Sequence, residues 1–120
     1  MQLSESRKDL LIGIVGVCAS GKSTLIEGLS ARGYKARHIA QEHSYVKDMW
    51  KRITNPDILI FLDVSFDKAC NRRKMDWNNE DYLEQQRRVS HARENADFCL
   101  DTTLLTAEGV LDQVLAFLEK

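Results

Sequence analysis

The residues with the clearest chemical purpose lie near the start of the chain, in Gly16-Val17-Cys18-Ala19-Ser20-Gly21-Lys22-Ser23. Every fixed position of G-x-x-x-x-G-K-[ST] is filled, between an apolar run and a helical pattern. Glycines at 16 and 21 admit backbone angles and close approaches that a Cβ would block. The N–H groups of the loop can then converge on phosphate oxygens at the positive end of the helix dipole. Lys22 adds a mobile cation for β- and γ-phosphates, Ser23 a hydroxyl able to ligate Mg²⁺, and Thr24 a further hydrogen bond. The chemistry expected here is phosphate binding, with Gly16, Cys18, Ala19, Ser20, Gly21, Lys22, Ser23 and Thr24 around the nucleotide.

Positioning such a loop requires a strand before it and a helix after it. Leu10-Leu11-Ile12-Gly13-Ile14-Val15 has no polar alternation, which implies a strand buried on both faces. A helix starts near Lys22, with Leu25, Ile26 and Leu29 on one side, and Gly33 stops it. A weaker strand covers Lys35 to Gln41, and Tyr45 to Ile53 has the spacing of a short helix broken by Asn55-Pro56-Asp57. Ile58-Leu59-Ile60-Phe61-Leu62 is the second strong strand, ending at Asp63. Ser65 caps a helix to about Lys74, and Asn78-Asn79-Glu80-Asp81 starts a longer one to about Asn95. Phe98-Cys99-Leu100 is a short strand closed by Asp101, and Thr106 opens a last helix with Val110, Leu111, Val114, Leu115 and Leu118 inward. Strand and helix alternate four times, which predicts an α/β fold with a small, mainly parallel sheet of about four strands and helices on both faces.

Composition narrows the partners. At 120 residues the chain is expected to form a single domain, 1–120, with residues 1–9 as a flexible arm. Seventeen Lys plus Arg against eighteen Asp plus Glu leave a charge of −1, so no global field favours nucleic acid or an anionic membrane. Leu10 to Ala19 is the longest apolar stretch and is too short to span a bilayer. Cys18, Cys70 and Cys99 are scattered, without zinc-ligand spacing, which reads as reduced thiols in a cytoplasmic protein.

Three segments carry a family resemblance: Ile12 to Gly16 entering the loop, Asn55 to Val64, and Ala96 to Thr103 followed by Leu105 to Val110. With them the chain resembles the P-loop nucleoside and nucleotide kinases, from about Leu10 to its end. The last segment is similar to the end of cytidylate-kinase-type enzymes, where the loop after the final strand borders the base, which implies a base contact at Thr103. The resemblance implies the three-layer P-loop NTPase fold, with strand order 2-1-3-4. The chain departs from the family in two ways. No strand bears the Asp-Gly or Asp-Arg acceptor motif, and Gln41 to Asn55 is too short for a nucleoside-monophosphate-binding insertion.

Ligands in such sheets bind beyond the carboxyl ends of strands. Asp63 stands there either as a Walker B acid helping to hold Mg²⁺ with Ser23, or as a structural cap on the next turn. Glu42, in Gln41-Glu42-His43-Ser44, takes the position of the metal-linked or base carboxylate if the second strand lies beside the first. Met49 and Trp50 read as a core helix or as an apolar wall for an acceptor ring. The family's lid arginines map by position to Arg72 or Arg73, with Arg87 on the following helix and Lys74 to Asn79 as a short lid. The expected catalytic set is therefore Lys22, Glu42, Arg72 and Arg73. The implied activity is Mg²⁺-dependent transfer of a phosphoryl group from ATP, or another nucleoside triphosphate, to a small-molecule acceptor. The alternatives are a reduced nucleotide-binding module and a slow NTPase. The expected partners are the nucleotide and that acceptor, with no nucleic acid or membrane, in a monomer or homodimer.

Overall fold

The computed structural model describes residues 8–73 and 78–119. The arm expected at 1–9 lies outside them except for its last two residues, as does most of the Lys74 to Asn79 lid. The elements run β1 (Leu11–Gly16), α1 (Lys22–Ala31), β2 (Lys35–His38), β3 (Ile58–Asp63), α2 (Phe66–Arg73), α3 (Asn79–Asn95), β4 (Phe98–Asp101) and α4 (Ala107–Leu118). All strand pairs are parallel, and the sheet is four-stranded in the order β2-β1-β3-β4.

The two unbroken apolar runs take the two central places. β1 and β3 are buried almost throughout, whereas β2 (Lys-Ala-Arg-His) and β4 (Phe-Cys-Leu-Asp) are edges with exposed positions. Alternation along the central strands separates two cores. Ile12, Ile14, Ile60 and Leu62 pack with Leu25, Leu29, Val110, Val114 and Leu118 of α1 and α4. On the opposite face Val15, Leu59 and Phe61 pack with Ala69 of α2 and with Val89 and Ala92 of α3. Among the described residues no helix is long and apolar enough to cross a membrane.

The segment between β2 and β3 differs from its expected helix. It makes one 3₁₀ turn at Gln41–His43 and one π-helical turn at Trp50–Thr54, closed by Asn55 at φ 46°. The reason is the buried side chain of Gln41. Its Oε1 accepts from Trp50 N at 2.9 Å, and its Nε2 donates to the carbonyls of Val46 and Arg88 at 2.8 and 3.2 Å. Those bonds hold the intervening residues in a loop against α3. Trp50 belongs to the core, with Met49 packed against it.

Helix starts follow the expected caps. Ser65 Oγ accepts from Lys68 N, Thr106 Oγ1 from Gly109 N, and Asn78 forms a reciprocal capping box with Asp81. Replacing Asn78 with Ala is expected to lower stability by about 1 kcal/mol. Asn79→Ala, one residue inside the helix, is expected to have little effect. Urea unfolding midpoints of the two variants check this.

Candidate functional site

The chain leaves β1 at Gly16, where a Cβ would stand 2.1 Å from the carbonyl oxygen of Leu62. Only glycine lets the loop turn this close to β3. Ala19 then adopts a left-handed φ of 65° and Gly21 one of 103°, a conformation costly for the alanine. The loop closes onto α1, whose N-cap is Gly21 itself. α1 has no side-chain cap and no acid in its first turn, whereas α2, α3 and α4 each begin under a capping hydroxyl or amide. The first N–H groups of a helix have no intrahelical acceptor, so this end presents donors and partial positive charge outward.

A cleft of about 320 Å³ lies over that end. Cys18, Ala19, Gly21, Lys22, Ser23 and Thr24 of the loop and helix start line it, together with His38, Glu42, His43 and Arg72. Of the expected residues, the structure thus brings together most of the loop, Glu42 and Arg72. Gly16 and Ser20 are not among the lining residues.

Lys22 is 7 % exposed. Its Nζ donates to the carbonyls of Gly16 and Val17 at 2.8 and 2.9 Å and pairs with Glu42 Oε2 at 3.0 Å. Glu42 is buried too, because β2 runs beside β1 with His38 level with Ile14, and the next four residues turn over the loop. The Nε2 atoms of His43 and His38 lie 3.7 and 4.0 Å from the same carboxylate oxygen. Burial, then the Lys22 ammonium, push the His38 imidazole below its ordinary pKa, while Glu42 pulls the other way. Glu42 Oε1 is buried with no hydrogen-bond partner among the described residues, and so is Ser20 Oγ.

Arg72 crosses from α2 and donates to Ala19 O at 2.8 Å, to Thr102 Oγ1 at 3.1 Å and to Thr102 O at 2.6 Å. Thr102 is fully buried, and its hydroxyl meets Ser20 O at 2.9 Å. The turn after β4 thereby holds the loop from below. From above, Gln85 of α3 accepts from Cys18 N at 2.9 Å and donates to Cys18 Sγ at 3.2 Å. Gln85 carried no signal in the sequence, because one polar residue on a polar helix shows no periodicity. His38 was legible only as part of the weaker strand Lys35 to Gln41, and Thr102 only as part of the segment Ala96 to Thr103 that carries the resemblance.

Other expected residues lie elsewhere. Asp63 faces a separate cleft with Arg93, Cys99 and Asp101. Its Oδ1 accepts from Val64 N and Gln86 Nε2, both at 2.9 Å, and Arg93 Nη2 stands 3.4 Å from Oδ2. Asp63 is not among the residues that line the cleft holding Ser23. Thr103 donates to Asp101 Oδ1 at 2.6 Å and accepts from Ser65 N at 3.0 Å, tying two loops together away from the cleft. The hydrogen bonds from Thr103 hold the Asp101 carboxyl below its usual range. Arg87 pairs with Glu84 on its own helix. The side chain of Arg73 lies outside the described residues.

No protein-family model matches the chain, and no curated protein matches it.

Thr102→Val removes the buried hydroxyl between Ser20 O and Arg72. A loss of roughly 1–3 kcal/mol in unfolding free energy is expected from the unpaired groups left behind. Thr102→Ser keeps the hydroxyl and is expected to lose only about 1 kcal/mol for its missing methyl. Equal losses in urea unfolding of the two variants would contradict the role given to the hydroxyl.

Proposed function

We propose that the chain is an ATP-binding P-loop protein and a Mg²⁺-dependent kinase for a small-molecule acceptor. The observation that carries this reading is the uncapped start of α1 under Gly21, with a buried lysine at its first position and a cleft above it. An N-terminus without an internal cap suits an external anion, and a triphosphate is the anion that the motif's spacing fits.

In this reading the loop N–H groups receive phosphate oxygens, and Lys22 exchanges its carbonyl and Glu42 partners for the β- and γ-phosphates. Ser23 lines the cleft beside Lys22 and supplies an oxygen ligand of the type Mg²⁺ takes, so the residues present fit that ion. Bound there, Mg²⁺ would supply charge neutralisation to the phosphates. Glu42 Oε1, buried and unpartnered, is the oxygen that would take the proton of an acceptor hydroxyl. Arg72, which also lines the cleft, would offset charge on the transferring group. Positioning and electrostatics make up most of what phosphoryl transfer requires.

A second reading, a nucleotide-binding module without turnover, is favoured by the size of the cleft. About 320 Å³ stands at the low end of roughly 300–1,000 Å³ for ligand sites, which leaves little room for a second substrate.

Phosphorus-31 NMR of Mg-ATP with the protein and a pool of nucleosides, nucleotides and hydroxylated metabolites separates these readings. A new phosphoryl resonance growing with ADP is the kinase outcome. Inorganic phosphate alone means an NTPase, broadened ATP signals without turnover the binding module, and an unperturbed spectrum overturns nucleotide binding. Lys22→Ala is expected to weaken ATP binding roughly 10- to 100-fold, the value of a charge-assisted hydrogen bond. Glu42→Gln is expected to lower turnover by about 10²–10⁴ while ADP affinity holds. Unchanged turnover would remove Glu42 from the role of base.

A further inference from the structure

The Cys18 thiol, the Glu42 carboxylate and the His43 imidazole come from two segments whose spacing shows no metal motif, yet the fold gathers their ligand atoms within 4.8 Å of one another. Cys18 Sγ lies 3.9 Å from His43 Nε2, which lies 3.7 Å from Glu42 Oε2. Around a tetrahedral Zn²⁺, with bonds of about 2.3 Å to sulfur and about 2.0–2.2 Å to nitrogen or oxygen, donor atoms stand roughly 3.3–3.6 Å apart. Closing the cluster therefore needs movements on the order of 1 Å. The His43 side chain, more than half exposed, is free to make them.

A second observation concerns the other oxygen of the same carboxylate. Glu42 is 2 % exposed, its Oε2 is held by Lys22, and its Oε1 has no partner among the described residues. A buried carboxylate oxygen without a donor is costly, and a cation beside it removes the cost. The surroundings also resemble an outer coordination shell. Gln85 Nε2 donates to the Cys18 sulfur, the type of contact that orients a metal-bound ligand and tunes it.

We infer that Cys18, Glu42 and His43 form a binding site for a borderline-soft divalent transition ion of the Zn²⁺ class. A thiolate and an imidazole select such an ion over Mg²⁺, which prefers oxygen ligands. The fourth position belongs to solvent or to His38, whose Nε2 is 4.0 Å from Glu42 Oε2. Because Cys18 sits in the loop and Glu42 follows β2, an ion here ties those two segments together across the mouth of the cleft. The site needs no nucleotide and does not rest on the kinase reading.

The test is titration of the metal-free full-length chain with Co²⁺ alone, followed by displacement with Zn²⁺. The expected result is one Co²⁺ per chain with a near-ultraviolet thiolate-to-cobalt charge-transfer band, bleached by Zn²⁺. Cys18→Ser abolishes that band, and His43→Ala weakens Co²⁺ binding roughly tenfold or more, while Cys70→Ser and Cys99→Ser leave both unchanged. Absence of the band in the wild type overturns the site. So does its survival in Cys18→Ser, or its loss only with Cys70 or Cys99. Wild-type protein gives a readout that needs no variant: Zn²⁺ slows alkylation of Cys18, followed by mass spectrometry, and an unchanged rate counts against the site.

Discussion

The ammonium of Lys22 is buried, and the arrangement around it follows from what such a group requires. An ammonium has three protons and no acceptor, and out of water each proton needs a partner. Here Gly16 O, Val17 O and Glu42 Oε2 take them at 2.8, 2.9 and 3.0 Å. Two of the three are backbone carbonyls, so the loop must curl around its own lysine. It does so only because Gly16 has no Cβ to strike Leu62 O. The third partner comes from another element, which fixes the sheet. Glu42 reaches Lys22 because β2 pairs with β1, not beyond it, and the chain turns back immediately after Ile39 N bonds Ile14 O.

A polar helix holds this arrangement in place. The buried positions of α3 are Gln85, Val89 and Ala92, so apolar burial alone gives it little purchase on the sheet. Partly buried Tyr82 and the Arg93 guanidinium over Phe61 add to that contact, and hydrogen bonds supply further attachments: Gln85 to Cys18, the Arg88 carbonyl to Gln41, His91 to Trp50, and Gln86 to Asp63. Apolar contacts tolerate sliding, whereas paired donors and acceptors fit only one register. A one-turn shift of α3 would release the loop at Cys18 and the Gln41 turn together. The position of Glu42 thus depends on α3, whose Arg88 also donates to the Glu42 carbonyl at 3.4 Å.

The sequence made legible what local periodicity encodes. Unbroken apolar runs marked β1 and β3 as the strong strands, β2 and β4 read as a weaker and a shorter one, and Ser65, Asn78 and Thr106 marked helix starts. Glycine and lysine spacing located the loop. The rest depends on contacts between residues far apart in the chain. Cys18 and Gln85 are 67 positions apart, Arg72 and Thr102 are 30 apart, and neither pair leaves a repeat in the sequence. The segment from Tyr45 to Ile53 misled for the same reason. Its helical spacing is real, but Gln41 supplies Trp50 N with an acceptor from outside and the first turns are lost. Cys18 and His43 likewise show no ligand spacing, because the strand and helix between them, not a short loop, bring them close.

The two acids beside β1 end in opposite electrostatic situations. Asp63 is surrounded by donors, with Val64 N, Gln86 Nε2 and the Arg93 guanidinium around its oxygens. Its lone pairs are occupied by the fold. Glu42 has one firm partner, Lys22, and one bare oxygen. An external anion that draws Lys22 away would leave Glu42 as an uncompensated buried charge, which is strongly unfavourable. A cation beside Glu42 would restore the balance as Lys22 leaves. Any anion taken by Lys22 and any cation taken by Glu42 would therefore be coupled through this one ion pair, on the β2 side of β1.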